Sequence, residues 1–253
     1  MGREGCDMDE GRTEQEWEWD ALSATALEAY RAARRREAVH LWRRTGTIAR
    51  GFPDGDPRRA ASENNCALAF LIDQDHSTAV QALSSALAAW DAALAWTRGM
   101  AVEAAGRSSL YHQRMEQRHL KAFGDVRRAR HREFLTGAVA LTRFNLAIAR
   151  LFLDDDNTAD HLLTTALKER EQALGPNNRE VIDIARVLAG RADADDDDSR
   201  MARYDATIQK AAGKQAPDVL DTWRREQPMD MNDTRRMLAA GYLTAIVHVR
   251  DFM

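Results

Sequence analysis

The sequence predicts an all-α fold built as a stack of antiparallel helical hairpins, and three observations carry that prediction. The chain matches itself at an offset of 80 residues, its composition is poor in turn formers, and small residues recur at fixed spacings within helical stretches. The self-match covers positions 65 to 87. There Asn65, Ala67, Ala69, Leu71, Asp75, Thr78, Ala79, Leu83, Ala86 and Leu87 meet Asn145, Ala147, Ala149, Leu151, Asp155, Thr158, Ala159, Leu163, Ala166 and Leu167, ten identities in 23 positions. A self-match at fixed offset is the signature of a repeat architecture, in which each unit buries its apolar face on its neighbour.

The composition agrees. With 253 residues, 44% hydrophobic and 30% charged, and only 14 Gly and 5 Pro, the chain is helix-rich and lacks the turn residues that an all-β fold needs. A formal charge of −4 provides no bulk attraction to nucleic acid, so nucleic acid is disfavoured as a partner. Two cysteines, Cys6 and Cys66, make no disulfide framework. Cys66 lies among alanines, where a thiol acts as a small apolar residue, and a reducing cytoplasm is the expected location. Met1 to Glu18 is acidic and has no basic stretch followed by an apolar one, so no signal peptide is expected. No run of 18 apolar residues is present, so no membrane span is expected either. Arginine outnumbers lysine 32 to 4, a bias of GC-rich bacterial genomes.

Along the chain, residues 1–15 are polar and read as a disordered tail. Residues 16–215 carry the helical repeats. From Trp17 apolar residues recur at helical spacing (Ala21, Ala24, Leu27 and Tyr30, then Val39, Leu41, Trp42 and Ile48) until the two prolines and two glycines of Gly51 to Pro57 break the helix. A helix from about Ala60 to Ile72, a polar turn from Asp73 to Ser77 and a helix from about Thr78 to Trp96 follow. The later copy repeats the plan: a helix ending near Leu153, a turn from Asp154 to Asn157, and a helix to Leu174 that Gly175 and Pro176 stop. Asp193 to Asp198 is an acidic turn between two more helices. Residues 216–253 are read as capping helices, the last with a buried stripe of Leu238, Tyr242, Ala245, Ile246 and Val249.

The alanine opening each second helix sets a rhythm. Ala79 follows Ala38 by 41 residues, Ala159 follows Ala79 by 80, and Met201 or Ala202 follows about 42 later. A unit of about 40 residues is therefore missing, expected around His119 to Ala122, which gives about five hairpins with the third degenerate. Ala67, Ala79 and Ala86 keep spacings of 12 and 19, as do Ala147, Ala159 and Ala166. Small side chains at such places let paired helices approach closely, with Phe70, Leu83 and Leu163 filling the gaps.

These small residues at positions 8, 20 and 27, with large ones at 7, 11 and 24, resemble the tetratricopeptide repeat. The stretch Thr165 to Asn178 is similar to the longer-helix variety of about 42 residues found in kinesin light chains. Cys66 and Arg150 depart from the pattern. The resemblance implies a right-handed solenoid and a non-catalytic adaptor or regulator that takes a protein or peptide segment in its concave groove, with no cofactor. It also implies that the first helix of each hairpin lines that groove, which places Asn65, Leu68 and Leu71, and Asn145, Ile148 and Leu151, on its floor beside Asn64 and Phe144. A side-chain amide offers both a donor and an acceptor, as another chain's backbone requires. The same asparagines equally suit a tie between neighbouring helices, and both readings stand.

Other signals have plainer readings beside sharper ones. Arg114, Arg118 and Lys121 open a basic stretch reaching Arg132, which suits a solvated helix face or a clamp for an acidic peptide. Glu37 with His40, and Glu116 with His119, repeat the Glu-x-x-His spacing that builds di-metal carboxylate sites in helical bundles. With Glu28 and Glu103 as bridging candidates, such an enzyme is the alternative to the adaptor. An EF-hand loop counted from Asp154 fails, because Ala159 and Thr165 stand where Gly and Glu are required. No glycine-rich phosphate loop, Gly-x-Ser-x-Gly elbow or Cys-x-x-Cys pair occurs, so no nucleophile is nominated. Trp17 and Trp19 cannot face one side of a helix, so one of them is expected at the surface. Self-association through terminal hairpins is a further option.

Overall fold

The polar residue Thr13 stands immediately before the first helix and caps it. Its hydroxyl accepts from the Glu16 backbone N–H at 3.3 Å, while the Glu16 carboxylate accepts from the Thr13 backbone N–H at 2.8 Å. This reciprocal capping box starts the helix at Glu14, inside the stretch expected to be a tail. The computed structural model describes residues 13–105, 134–175, 179–212 and 245–246. They form eight helices and no strand among the described residues: α1 Glu14–Arg31, α2 Arg35–Ala49, α3 Pro57–Ile72, α4 His76–Ala105, α5 Phe134–Leu151, α6 Asp156–Leu174, α7 Arg179–Ala194 and α8 Asp198–Ala212.

Consecutive helices pair across one kind of turn, used four times. In each, a residue takes a left-handed backbone: Ala33 at φ 58°, Gln74 at 63°, Asp154 at 57° and Asp196 at 53°. The N–H of that residue reaches back to Tyr30, Leu71, Leu151 and Asp193 respectively, at 3.0 to 3.2 Å. The next N–H reaches one residue further back, to Ala29, Phe70, Arg150 and Ala192, at 2.8 to 3.1 Å. This is the Schellman arrangement, which satisfies carbonyls orphaned at a helix end. The next helix then opens with the N–H of Ala38, Ala79, Ala159 or Met201 bonding to the residue four before it. Met201, not Ala202, is thus the fourth member of the rhythm. Gly175 ends α6 with φ 79° and ψ 161°, a glycine-favouring conformation but not the left-handed helical one expected there.

The small residues of the repeat sit where close approach requires them. Ala67, Ala79, Ala86, Ala147, Ala159 and Ala166 are fully buried, as are Leu83 and Leu163. One apolar cluster runs through all four hairpins, from Ala26 in α1 to Ile208 in α8; a second gathers Trp19, Phe52, Trp90, Leu135 and Val139. Trp19 is buried and Trp17 is 41% exposed, as alternate placement on one helix requires. α5 alone among the described residues is long and apolar enough to cross a membrane. It is 78% buried inside the protein, so its apolar surface belongs to the core.

At the start of α3, Asp56 caps the helix through the Arg58 N–H at 2.8 Å, and Pro57 occupies the first turn, where its missing N–H costs nothing. The Arg58 guanidinium bonds Asp56 at 2.6 Å and Glu16 at 2.7 Å and lies 4.0 Å from the centre of the Phe52 ring. This buried arginine locks the entry of α1 to the entry of α3.

Asn145 in α5 donates to Asn64 in α3 at 3.0 Å, and the Trp90 indole of α4 donates to the Thr142 hydroxyl of α5 at 3.0 Å. These bonds set α5 directly against α3 and α4. The stretch assigned to the degenerate third hairpin, His119 to Ala122, lies outside the described residues. Ala245 and Ile246, expected on a terminal helix capping the last hairpin, are buried as expected. Their backbone is not helical, and they sit against α3 instead.

Candidate functional site

The helical spacing of α3 and α5 puts a hydroxyl and an amide one turn apart on each. Ser62 and Thr142 come three residues before Asn65 and Asn145, and both pairs obey the 80-residue offset. Each hydroxyl anchors a tryptophan: Trp19 Nε1 donates to Ser62 Oγ at 2.7 Å and Trp90 Nε1 to Thr142 Oγ1 at 3.0 Å. These indoles belong to the second apolar cluster, whose walls they fix.

The amides form a relay. Asn145 Nδ2 donates to Asn64 Oδ1 at 3.0 Å, and Asn64 Nδ2 donates to Asn65 Oδ1 at 3.1 Å. Asn65 then exchanges two hydrogen bonds with one residue far along the chain. Its Nδ2 donates to the Ile246 carbonyl at 2.7 Å, and the Ile246 N–H donates to its Oδ1 at 2.7 Å. All three asparagines are almost fully buried, so these bonds replace the water that burial removes.

The double bond selects a backbone shape. In a helix a residue's N–H and C=O point opposite ways along the axis. In an extended strand they point to the same side, which is why directly opposed residues in an antiparallel pair exchange both bonds. Asn65 supplies with its side chain what a neighbouring strand would supply with its backbone. Its two bonds to Ile246 go to main-chain atoms, so they read extended conformation rather than residue identity.

Side-chain burial adds the rest. Ala245 joins the apolar cluster that contains Leu68, Leu71, Phe144, Ile148 and Leu151. Ile246 joins the other, with Trp19, Phe52 and Trp90. The dipeptide therefore bridges the two cores. The six residues expected on a groove floor, Asn65, Leu68, Leu71, Asn145, Ile148 and Leu151, do come together on α3 and α5, and all six are buried. The asparagines tie neighbouring helices and hold a distant backbone at once.

Sequence reasoning did not find Ile246 as the partner of Asn65, nor the two hydroxyl anchors. The anchors had a signal, since Ser62 and Thr142 are a conservative pair in the repeat register. Ile246 had none beyond its apolarity. Arg114, Arg118 and Lys121 lie outside the described residues, as do Glu116, His119 and the Glu103 side chain. Glu37 is exposed and pairs with Arg34 at 2.7 Å, and His40 and Glu28 are exposed as well. Among the described residues, no three His, Cys, Asp or Glu side chains gather as a metal-holding group.

No ionisable group takes part in the relay. Close by, the Cys66 thiol bonds the Trp42 carbonyl at 3.2 Å. Burial pushes its pKa up to about 11, a rise only partly opposed by Arg50. At neutral pH it stays a thiol, which is not the nucleophilic form. Compared with known proteins, the chain matches no family model and no curated protein.

Proposed function

We propose that the protein is a non-catalytic adaptor or regulator that binds an extended protein or peptide segment through the first helices of its second and third hairpins. In this reading the four hairpins stack as a right-handed, tetratricopeptide-like solenoid, and the face carrying Asn64, Asn65 and Asn145 is its concave groove. The observation that supports it most is the paired 2.7 Å bonding of Asn65 to the Ile246 backbone. A groove amide of this protein holds an extended main chain, with apolar clusters on either side for the flanking side chains. The four like turns and the buried alanines of the repeat support the stacking. The cytoplasm suits it, since Cys66 is a free thiol.

Affinity capture from a lysate of the producing organism, with mass spectrometry, tests the reading. The native protein should enrich a partner that a variant carrying Asn65→Ala and Asn145→Ala together does not, while circular dichroism shows both equally helical. Equal recovery of the same partners by the two proteins refutes it.

A further inference from the structure

We infer that Asn65 and the apolar seat beside it form a site for an extended peptide with a branched aliphatic residue behind a small one, and that the chain's own Ala245–Ile246 is its resident, displaceable occupant. This rests on the peptide-binding reading and adds the ligand class and the control of access.

Three observations carry it. The two Asn65 bonds go to the N–H and C=O of a single residue, so any ligand must be extended there and must not have proline at that position. Ile246 is 4% exposed and shares its cluster with Trp19, Phe52 and Trp90, which calls for a bulky aliphatic side chain. Ala245 is 7% exposed within the alanine-rich cluster, which calls for a small residue just before it. The occupant is 181 residues from Asn65 in the chain and belongs to none of the four hairpins.

The bonds of Asn65 to Ile246 go to main-chain atoms alone, so they do not distinguish a segment of its own chain from one of a partner. A peptide of the same shape and apolarity competes for the same bonds. The affinity measured for that peptide is then reduced by the fraction of molecules whose site is already filled from within. Binding requires release of Ala245–Ile246, which makes that dipeptide a built-in competitor.

The probe is a fluorescein-labelled peptide of the chain's own residues 241–251, GYLTAIVHVRD, titrated by anisotropy against the full chain and the full-length variant Ile246→Pro. Proline deletes the N–H that Asn65 Oδ1 accepts, and so weakens the resident segment. The variant should bind the peptide at least about tenfold more tightly than the native chain. Adding Asn65→Leu to the variant should abolish that binding. A helical Ile246→Pro chain that binds no better than native overturns the inference. If both chains bind equally and Asn65→Leu weakens both, occupation from within is wrong and the peptide-binding reading stands. If Asn65→Leu changes nothing in either, both fall.

Hydrogen exchange on the native chain gives an answer even if the proline variant does not fold. Saturating unlabelled peptide should lower protection of the Ile246 amide about tenfold while α3 amides keep theirs. Unchanged Ile246 protection overturns the inference.

Discussion

The side chains of Asn145 and Asn64 meet at 3.0 Å although 81 residues separate them. That bond places α3 and α5 side by side and passes through Asn64 to Asn65. Because both groups are buried, removing Asn145 takes away this donor where water does not readily replace it. Asn145→Ala should lower unfolding free energy by about 1–3 kcal/mol in urea titrations. A double-mutant cycle with Asn64→Ala should return a coupling of about 1 kcal/mol; additive losses would show that the bond is energetically idle.

The four left-handed turn residues are all non-glycine and all exposed. A Cβ in that conformation is strained by about 1 kcal/mol. Ala33→Gly and Gln74→Gly should each raise the denaturant midpoint, by a stability gain of that order. A lowered midpoint would mean that glycine's greater freedom in the unfolded chain outweighs the relief.

Arg58 is a buried cation answered by Asp56 and Glu16. Arg58→Met keeps the apolar stem but leaves the two carboxylates without their counter-charge. A loss of about 3 kcal/mol is expected in chemical denaturation. A loss near zero would show that both carboxylates relax into water.

Overpacking tests the small residues. Ala79 and Ala159 have no exposed surface, and each opens a second helix against its neighbours. Ala79→Leu or Ala159→Leu should cost about 1–3 kcal/mol, read as a lower melting temperature. A tolerated leucine would mean that the hairpins can separate.

Acid should weaken the fold in two stages. Partial burial, in a stack on the Phe152 ring at 4.8 Å, lowers the His76 pKa below its ordinary 6.5, with Asp75 opposing. Hydrogen bonds from Thr78 lower that of Asp75, and Thr158 does the same for Asp155, both from 3.8. The Thr13 backbone leads in lowering Glu16 from 4.5. The unfolded chain then binds these protons first, so stability falls as pH drops, through His76 below 6.5 and through the carboxylates below about 4.5. Melting temperature against pH should show both limbs, with Asp75→Asn plus Asp155→Asn flattening only the lower one. An unflattened limb would assign the acid sensitivity elsewhere.

What the sequence made legible was local. The turns, the alanines and the 80-residue register all depend on residues within one hairpin, and helix periodicity reports them directly. The arrangement of hairpins in space was not legible. An offset of twice 40 suggests a missing unit, yet nothing in that number says which helices are neighbours, and the bond from Asn145 to Asn64 sets α5 beside α3. The partner of Asn65 was hidden for a related reason. Leu238, Tyr242, Ala245, Ile246 and Val249 fit a helical stripe, but a short apolar run is compatible with more than one backbone shape, and a buried amide 181 residues away selected the non-helical one.

The Asn145–Asn64–Asn65 relay consists entirely of carboxamides, with no formal charge on either side of its contact with the main chain it holds. Mobile electrolyte has nothing there to screen. Capture through this device should persist from dilute buffer to concentrated brine, and a partner would be distinguished by its contour and greasiness rather than drawn in from a distance by its field.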